Sequence, residues 1–205
     1  MNLLIEAQYL PNIAYFKMIA QAKTVTLEAC ENYQKQSFRN RTLIKTANKV
    51  EILSIPVLNG NSKLFMRDVQ IDYSQHWVKV HLRGIQSAYG NSPFFEHYFP
   101  PIEQVILQQP KYLFDLNLML IEMILKLLKM KIDILLSDDY YTTETGGYTD
   151  LREIIHPKKS LKVNLFTENI SFNTYCQVFG NTFVENLSII DLLMNEGSAA
   201  KQYLY

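Results

Sequence analysis

Residues 3–29 read LLIEAQYLPNIAYFKMIAQAKTVTLEA, and this opening stretch decides the fold class. Two short segments, Leu3 to Ala7 and the alternating Thr24 to Ala29, have the length and composition of β-strands. Between them, Asn12 to Ala22 repeats its apolar residues at helical spacing, and Pro11 suits a first helical turn. A strand, a helix and a second strand in this order predict a partly parallel sheet covered by helices.

The rest of the chain continues this alternation. Further strands are predicted at Val50 to Val57, Asp68 to Asp72, Ile132 to Leu136 and Leu161 to Phe166. Further helices are predicted at Gln75 to Tyr89, at Pro93 to Gln109 with a break at Pro100-Pro101, at Tyr112 to Lys131, and at Asn186 to Asn195 before Gly197. We therefore expect one α/β domain over residues 1–205, with a partly parallel mixed sheet covered by helices and a loop from Ser137 to Asp150.

The segment Tyr112 to Lys131 has the length of a membrane-spanning helix and is mostly apolar. Its charges argue against a membrane, because they fall on one helical stripe, formed by Asp115, Glu122, Lys126 and Lys129. This pattern predicts a soluble protein with a long helix buried on most sides. Asn117 projects away from the charged stripe and should need hydrogen-bond partners.

Composition excludes several functional classes. Twenty basic and twenty acidic side chains give a formal net charge of +0, which argues against a nucleic-acid partner. Cys30 and Cys176 are far apart in sequence, and no zinc-ligand spacing, phosphate loop or dinucleotide fingerprint is present. We expect no metal, no cofactor, no disulfide and no integral membrane segment. The amino terminus lacks the pattern of a secretory signal, so a cytoplasmic location is expected.

The first candidate site is the turn from Gln8 to Asn12, where the first strand meets the first helix. Ligands of α/β proteins favour crevices at the carboxyl ends of strands, and helix amides there suit an anion. Tyr9 would face such a ligand. The alternative is a plain strand-to-helix turn with this tyrosine packed inside.

The second candidate is the basic segment from Ser37 to Lys45. Arg39, Arg41 and Lys45 share one face if the segment is extended, and arginine forks suit carboxylate or phosphate. This favours a small anionic or sugar-linked substrate, with Asn40 beside it. A solvated basic edge strand is the alternative.

The remaining candidates are a histidine, a charged motif and a polar stripe. His81 is either a hydrogen-bonded structural residue or a proton acceptor, and its spacing from His76 does not suit a metal pair. The motif from Asp150 to Lys159 could cap a helix or hold an anion. On the last helix, Ser188, Asp191 and Asn195 form a stripe that faces either solvent or, if Tyr175 to Phe179 packs over it, a pocket.

Taken together and in order, these motifs resemble the WbqC-like family, proteins often associated with gene clusters for O-antigen and other bacterial surface polysaccharides. The resemblance spans nearly the whole chain. It is carried by Tyr9-Leu10-Pro11 with Tyr15-Phe16, Tyr33 to Arg41 with Ile44-Lys45, Ile55-Pro56-Val57, Trp77, His81, Tyr89, Pro93-Phe94-Phe95, Asp150-Leu151-Arg152 with Ile155-His156-Pro157-Lys158, Tyr175 to Phe179, and Asn186 to Gly197.

The resemblance implies transfer of an amino acid such as glycine, or a related acyl group, onto a sugar of a polysaccharide precursor. Many relatives carry His-Gln-Pro where this chain has Ile5, Glu6 and Ala7, so a role for that histidine does not transfer. Phe38 replaces a frequent tryptophan and Glu185 a common proline, which affects packing more than chemistry.

The leading hypothesis is a cytoplasmic transferase acting on a nucleotide-linked or lipid-linked sugar. Its roles are an anion site at Arg39, Arg41 and Lys45, a proton acceptor at His81 or Asp191, and orienting groups at Tyr9, Asn40, Tyr175, Ser188 and Asn195. The rival is a non-catalytic binding or accessory protein of the same pathway. Both hypotheses expect the basic segment, His81 and the stripe of the last helix to surround one concave site.

Overall fold

A parallel sheet forms the first part of the architecture. The computed structural model describes residues 1–60, 62–142, 147–157 and 170–205. The four strands of this sheet are ordered β5-β2-β1-β6 and all its pairs are parallel. They are β1 (Asn2–Glu6), β2 (Thr24–Glu28), β5 (Asp133–Leu136) and β6 (Thr149–Asp150).

A second, two-stranded sheet is antiparallel and separate from the first. It joins β3 (Arg41–Lys45) to β4 (Val50–Ser54), with Arg41 opposite Ser54 and Lys45 opposite Val50. The α/β class is therefore confirmed, and the expected mixture of strand directions is divided between two sheets.

Five α-helices accompany the strands. They are α1 (Ile13–Ile19), α2 (Trp77–Tyr89), α3 (Phe95–Leu107), α4 (Leu113–Leu127) and α5 (Ile189–Glu196), with short 3-10 helices at Met66–Asp68 and Gly197–Leu204. Helix α5 ends at Gly197, whose φ of 58° is costly for any residue with a Cβ. None of the helices in the described ranges is both long and apolar enough to cross a bilayer.

Helix α1 follows β1 through a turn that buries its polar groups in hydrogen bonds. The side chain of Asn12 accepts a hydrogen bond from the backbone N–H of Tyr15 at 3.0 Å and so caps the helix. The N–H of Ile13 donates to the carbonyl of Leu187 at 3.0 Å, which ties this turn to the segment before α5. The turn after β1 and the start of the last helix are thus neighbours.

Helix α4 is the predicted buried helix. Leu120 is fully buried, Leu127 is half-buried, and the charged stripe of Asp115, Glu122 and Lys126 is exposed. Asn117 is fully buried, and its side-chain Nδ2 donates to the carbonyls of Ala7 at 3.1 Å and Arg39 at 2.8 Å. The helix therefore supports the turn after β1.

Two predictions about local structure were wrong. Helix α3 continues through Pro100 and Pro101 instead of breaking. Two prolines remove two backbone donors, but Phe99 and Ile102 on either side are buried and hold the turn together. The expected strand from Asp68 to Asp72 is absent, because that segment leaves a 3-10 turn and makes only isolated bridges, from Gln70 to Tyr112 and from Val57 to Ile71.

Other boundaries differ for identifiable reasons. The strand expected to run to Val57 ends at Ser54, two residues before Pro56, which has no N–H for a sheet. The strand β6 was not predicted, whereas β3 falls within the segment Ser37 to Lys45, for which a basic edge strand was one of the two alternatives. The strand expected from Leu161 to Phe166 lies outside the described residues.

Candidate functional site

A polar side chain lies at, or directly after, the carboxyl end of every strand of the parallel sheet. Glu6 ends β1, Glu28 ends β2, Asp150 ends β6, and Ser137 directly follows β5. Because parallel strands bring their carboxyl ends to one edge of the sheet, these four side chains lie along the same edge. This is the edge where α/β proteins most often bind ligands.

Glu28 is the centre of the hydrogen-bond network at this edge. Its carboxylate is fully buried. One oxygen, Oε1, accepts hydrogen bonds from Ser137 Oγ at 2.6 Å and from the N–H of Cys30 at 3.0 Å. The other, Oε2, accepts from Arg152 Nη1 at 3.0 Å and from the N–H of Tyr141 at 3.1 Å. Such full satisfaction is what a buried carboxylate requires.

Arg152 connects two strand ends. Its Nη1 reaches Glu28, and its Nη2 donates to Asp150 Oδ2 at 2.7 Å and to the carbonyl of Tyr141 at 2.8 Å. Its guanidinium also lies 4.7 Å from the centroid of the Tyr140 ring. A single arginine therefore joins the ends of β2 and β6.

Glu6 connects the network to the turn after β1. Its carboxylate is buried and accepts hydrogen bonds from Gln8 Nε2 at 2.8 Å and from the N–H of Glu153 at 3.1 Å. The Oε1 atom of Gln8 is buried and has no partner among the described residues. The turn after β1 is thus tied to the segment after β6.

Glu31 and Arg39 form a buried ion pair near these groups. Arg39 Nε donates to Glu31 Oε1 at 2.7 Å, and Arg39 Nη2 donates to Glu31 Oε2 at 2.5 Å. Burial raises the pKa of Glu31 to about 7; the charges of Glu6 and Glu28 add to this rise, whereas Arg39 opposes it. We call Glu6, Glu28, Glu31, Arg39 and Arg152 the strand-end cluster.

A cavity of about 450 Å³ opens at the strand-end cluster. It is lined by Glu31, Tyr140, Thr142, Asp150, Arg152 and Glu153. Three carboxylates and one arginine give this strand-end cavity a negative character, which suits a ligand with an ammonium group. A carboxyl group that exchanges its proton near neutral pH also suits general acid–base chemistry.

A larger groove of about 950 Å³ is lined in part by the segment that follows Glu31. Asn40, Arg41, Trp77 and His81 are among its lining residues. Tyr33, two residues after Glu31, lines it as well. One segment therefore contributes to both the strand-end cavity and the groove.

His81 lies in the wall of the groove with both ring nitrogens engaged. Its Nδ1 is 2.9 Å from the hydroxyl of Tyr9, and its Nε2 is 3.2 Å from the carbonyl of Ser54. Because a carbonyl only accepts, Nε2 carries the proton and Nδ1 accepts from Tyr9. Burial lowers the pKa of His81 to about 4, so the ring is neutral at pH 7.

Asp191 belongs to a third, separate group, which we call the Asp191 cluster. Its Oδ2 accepts hydrogen bonds from the hydroxyl of Tyr175 at 2.6 Å and from Gln177 Nε2 at 3.1 Å. Lys45 Nζ donates to Gln177 Oε1 at 3.0 Å and to the carbonyl of Thr182 at 2.7 Å. Burial raises the pKa of Asp191. The segment from Tyr175 thus packs over the last helix, as one alternative expected.

The other two residues of the stripe on α5 hold local structure. Ser188 Oγ donates to the carbonyl of Leu10 at 2.9 Å, and Asn195 Nδ2 donates to the carbonyl of Asp191 at 2.7 Å. Ser188, Asp191 and Asn195 are all buried, so this stripe does not face solvent.

The structure divides the residues that were expected to surround one site. The backbone N–H of Ser188 donates to the carbonyl of Leu43 at 2.9 Å, so β3 does lie beside the last helix. Arg39, however, points to Glu31, while Arg41 lines the groove and Lys45 enters the Asp191 cluster. The expected common face fails because Arg39 lies in turns before β3, which begins at Arg41.

Sequence reasoning missed the carboxylates of the strand-end cluster. A signal was present, because Glu6 and Glu28 both lie within predicted strands, where a buried charge requires a partner. The partner of Glu28, Arg152, lies 124 positions further along the chain. In the described part of the chain, no group of three or more His, Cys, Asp or Glu side chains is arranged to hold a metal ion.

Comparison with known proteins gives two findings. The model of the WbqC-like protein family matches residues 6–203. A protein of Mycobacterium tuberculosis, the uncharacterized protein Rv1507c, is 25% identical over 224 aligned positions, which cover 98% of this chain and 96% of that protein. No solved structure matches.

Proposed function

The chain belongs to the WbqC-like protein family, and on this premise we propose that it transfers an amino acid, such as glycine, or a related acyl group to a sugar precursor of a surface polysaccharide. One observation carries the proposal. The four parallel strands end in one network of carboxylates and arginines, which borders a cavity next to a larger groove. A transferase needs two neighbouring sites of this kind, one for each substrate.

The strand-end cavity suits the donor. Its carboxylates Asp150 and Glu153 would hold the ammonium group of an amino acid, and a volume of about 450 Å³ fits a small molecule. Arg152 is already paired with Glu28 and Asp150, so it would keep Asp150 in place. The donor's acyl carbon would then lie toward Glu31.

Glu31 is the best candidate for the proton acceptor. In acyl transfer, a hydroxyl or amine of the acceptor forms a bond to the acyl carbon, the bond to the leaving group breaks, and the nucleophile's proton must be removed. Glu31 lines the strand-end cavity, and its pKa of about 7 suits this task at neutral pH. It would take this proton in its charged form.

His81 and Asp191 fit this role less well than the sequence suggested. His81 has no free nitrogen in the structure, and Asp191 lies among Tyr175, Gln177 and Lys45 away from both openings. We assign both to positioning. Tyr9 hydrogen-bonds to His81 in the wall of the groove, and Tyr175 bonds to Asp191 on the last helix. Ser188 ties that helix to the turn after β1, and Asn195 bonds within the helix. Asn40 and Arg41 would contact the acceptor in the groove.

One observation favours the alternative function, a non-catalytic binding or accessory protein of the same pathway. Both oxygens of Glu31 accept hydrogen bonds from Arg39, as in a purely structural ion pair. For catalysis, Arg39 must loosen its contact when the substrate arrives. Without that movement, the same cavities would bind ligands and do no chemistry.

A complementation experiment separates the two functions. The gene would be deleted in the source organism, and the amino-acyl substituents of its surface polysaccharide measured by mass spectrometry. We expect deletion to remove a substituent, the unaltered gene to restore it, and Glu31→Gln not to restore it. The control is Glu122→Gln, which removes an exposed carboxylate from α4 and should restore the substituent fully.

Each contrary result has a distinct meaning. An unchanged polysaccharide after deletion would contradict the transferase. Restoration by Glu31→Gln would leave the transfer intact and remove Glu31 as the proton acceptor. Circular dichroism of the purified variants would show whether they fold.

A further inference from the structure

We propose that the groove binds the phosphoryl or diphosphoryl group of the acceptor, with Arg41 as its main ligand. This inference deepens the proposed function, since it names the part of the acceptor that the groove recognises. It rests on four observations at the groove: a guanidinium without a carboxylate partner, two nearly buried side chains with unpartnered polar atoms, an uncapped helix start, and sufficient volume.

Arg41 differs from the other two arginines of this region. Arg39 and Arg152 are each paired with carboxylates. Among the described residues, by contrast, no carboxylate lies within ion-pair distance of Arg41, and its Nε is buried without a hydrogen-bond partner. A guanidinium that has no internal partner is available to an anion, and its fork matches phosphate oxygens.

Two further polar atoms at the groove lack partners within the described ranges. Asn40 Oδ1 and Trp77 Nε1 are both buried and unpartnered, and the two side chains are only 8% and 5% exposed. Unsatisfied buried polar atoms are unfavourable, so these two atoms and Arg41 Nε, on three residues that line one groove, indicate a place where a ligand completes the hydrogen bonds. Trp77 and Arg41 would donate to anion oxygens, whereas Asn40 would accept from a sugar hydroxyl.

The start of α2 adds to the positive character of the groove. His76 and Trp77 line the groove, and no side chain caps the helix at His76. Backbone N–H groups at the start of a 13-residue helix favour an anion. This start and Arg41 together place hydrogen-bond donors on residues that line the same groove.

The charges and size of the groove agree with this ligand. Among its lining residues are two permanent cations, Lys35 and Arg41, and one carboxylate, Glu51. Glu51 is opposite Ile44 in the β3–β4 pair, whereas Arg41 is opposite Ser54 at the other end of the strands. The volume of about 950 Å³ is large enough for a nucleotide-linked or similar sugar phosphate.

The single tryptophan of the chain makes the test specific. Because Trp77 is the only tryptophan and lines the groove, its fluorescence reports on this site alone. Pyrophosphate and uridine diphosphate would be titrated into the protein at constant ionic strength, with citrate as a carboxylate of similar charge. We expect a saturable change with the two phosphorylated compounds and a much weaker response with citrate.

Matched variants assign the response to Arg41. Arg41→Gln should weaken pyrophosphate binding by about ten-fold or more, the loss expected for a charged hydrogen-bonded contact. Arg83→Gln removes the same charge from the exposed side of α2 and should leave binding unchanged. No saturable response, equal binding of citrate, or equal binding by Arg41→Gln would overturn the inference. Because no turnover is needed, these results are independent of whether the protein proves to be a transferase.

Discussion

His81 illustrates how burial sets the role of a residue at this site. Its neutral ring accepts a hydrogen bond from Tyr9 and donates one to the carbonyl of Ser54. A proton on Nδ1 would reverse the hydrogen bond with Tyr9 and place a charge in a buried wall. His81 is therefore suited to fixing the groove and not to exchanging protons near neutral pH.

The buried, neutral His81 should make the folding stability of the protein depend on pH. The pKa of His81 is about 4 in the folded protein and about 6.5 in an unfolded chain. Between these values the unfolded state binds more protons, so the contribution of His81 to folding stability is present above pH 6.5 and is lost as pH falls toward 4. In His81→Gln this contribution is absent.

The measurement is a denaturant titration of both proteins at pH 7 and pH 5. We expect the stability difference between the unaltered protein and His81→Gln to shrink by roughly 2 kcal/mol at pH 5. His76→Gln is the control, because it removes an exposed histidine at the start of the same helix. A stability difference that stays constant with pH would contradict the buried neutral ring.

At the scale of elements, helix α4 fixes the position of two segments that contribute to the site. Its Asn117 holds the carbonyls of both Ala7 and Arg39, which links the turn after β1 to the segment of the buried ion pair. Its apolar side fixes this helix in the core. Damage to α4 should therefore affect stability first and the site second.

Leu120→Ala should lower the free energy of unfolding by about 2 to 5 kcal/mol, because it leaves a cavity in a fully buried position. Leu127→Ala on the same helix should cost less, since Leu127 is only half-buried. Chemical denaturation measures both. Equal losses for the two variants would show that α4 is not packed as described.

The end of α5 gives a second test at this scale. Gly197 has a φ of 58°, and a Cβ there would lie 2.7 Å from an atom of the Phe94 ring. Gly197→Ala therefore combines backbone strain with a clash, and we expect a loss of roughly 1 to 3 kcal/mol.

Gly147→Ala is the matched control for the clash. Gly147 also has a positive φ, of 97°, but no described residue beyond its chain neighbours comes within 4 Å of its Cβ position. Gly147→Ala should lower the free energy of unfolding less than Gly197→Ala does in the same thermal or chemical unfolding experiment. A larger loss at Gly147 would mean that strain, and not contact with Phe94, dominates at Gly197.

At the scale of the whole molecule, local patterns predicted the elements better than their assembly. The opening strand, helix and strand and the buried helix α4 followed from apolar periodicity, because periodicity reports which face is buried. The continuous helix through Pro100 and the 3-10 turn at Met66–Asp68 did not, since tertiary packing decided them. The single-domain organisation and the cytoplasmic location remain predictions.

The candidate site was predictable only in part for the same reason. The sequence identified the turn after β1, the basic segment and His81 as candidate parts of a binding site. It could not show that Arg39 pairs with Glu31, eight positions away, or that Glu28 pairs with Arg152, 124 positions away, because neither contact follows from regular helix or strand spacing. The partner of a buried charge is determined by the folded arrangement, and the spacing of residues along the chain does not reveal which residue it is.

The proposed role of Glu31 as the proton acceptor requires that its carboxyl group exchange a proton near neutral pH. Carbon-13 NMR of protein labelled at glutamate side chains would follow each carboxyl group through a pH titration, with Glu31→Gln assigning the resonance of Glu31. We predict that this resonance titrates with a pKa of about 7. A pKa at or below the ordinary value of about 4.5 would show a permanently charged structural ion pair with Arg39 and would contradict Glu31 as the proton acceptor.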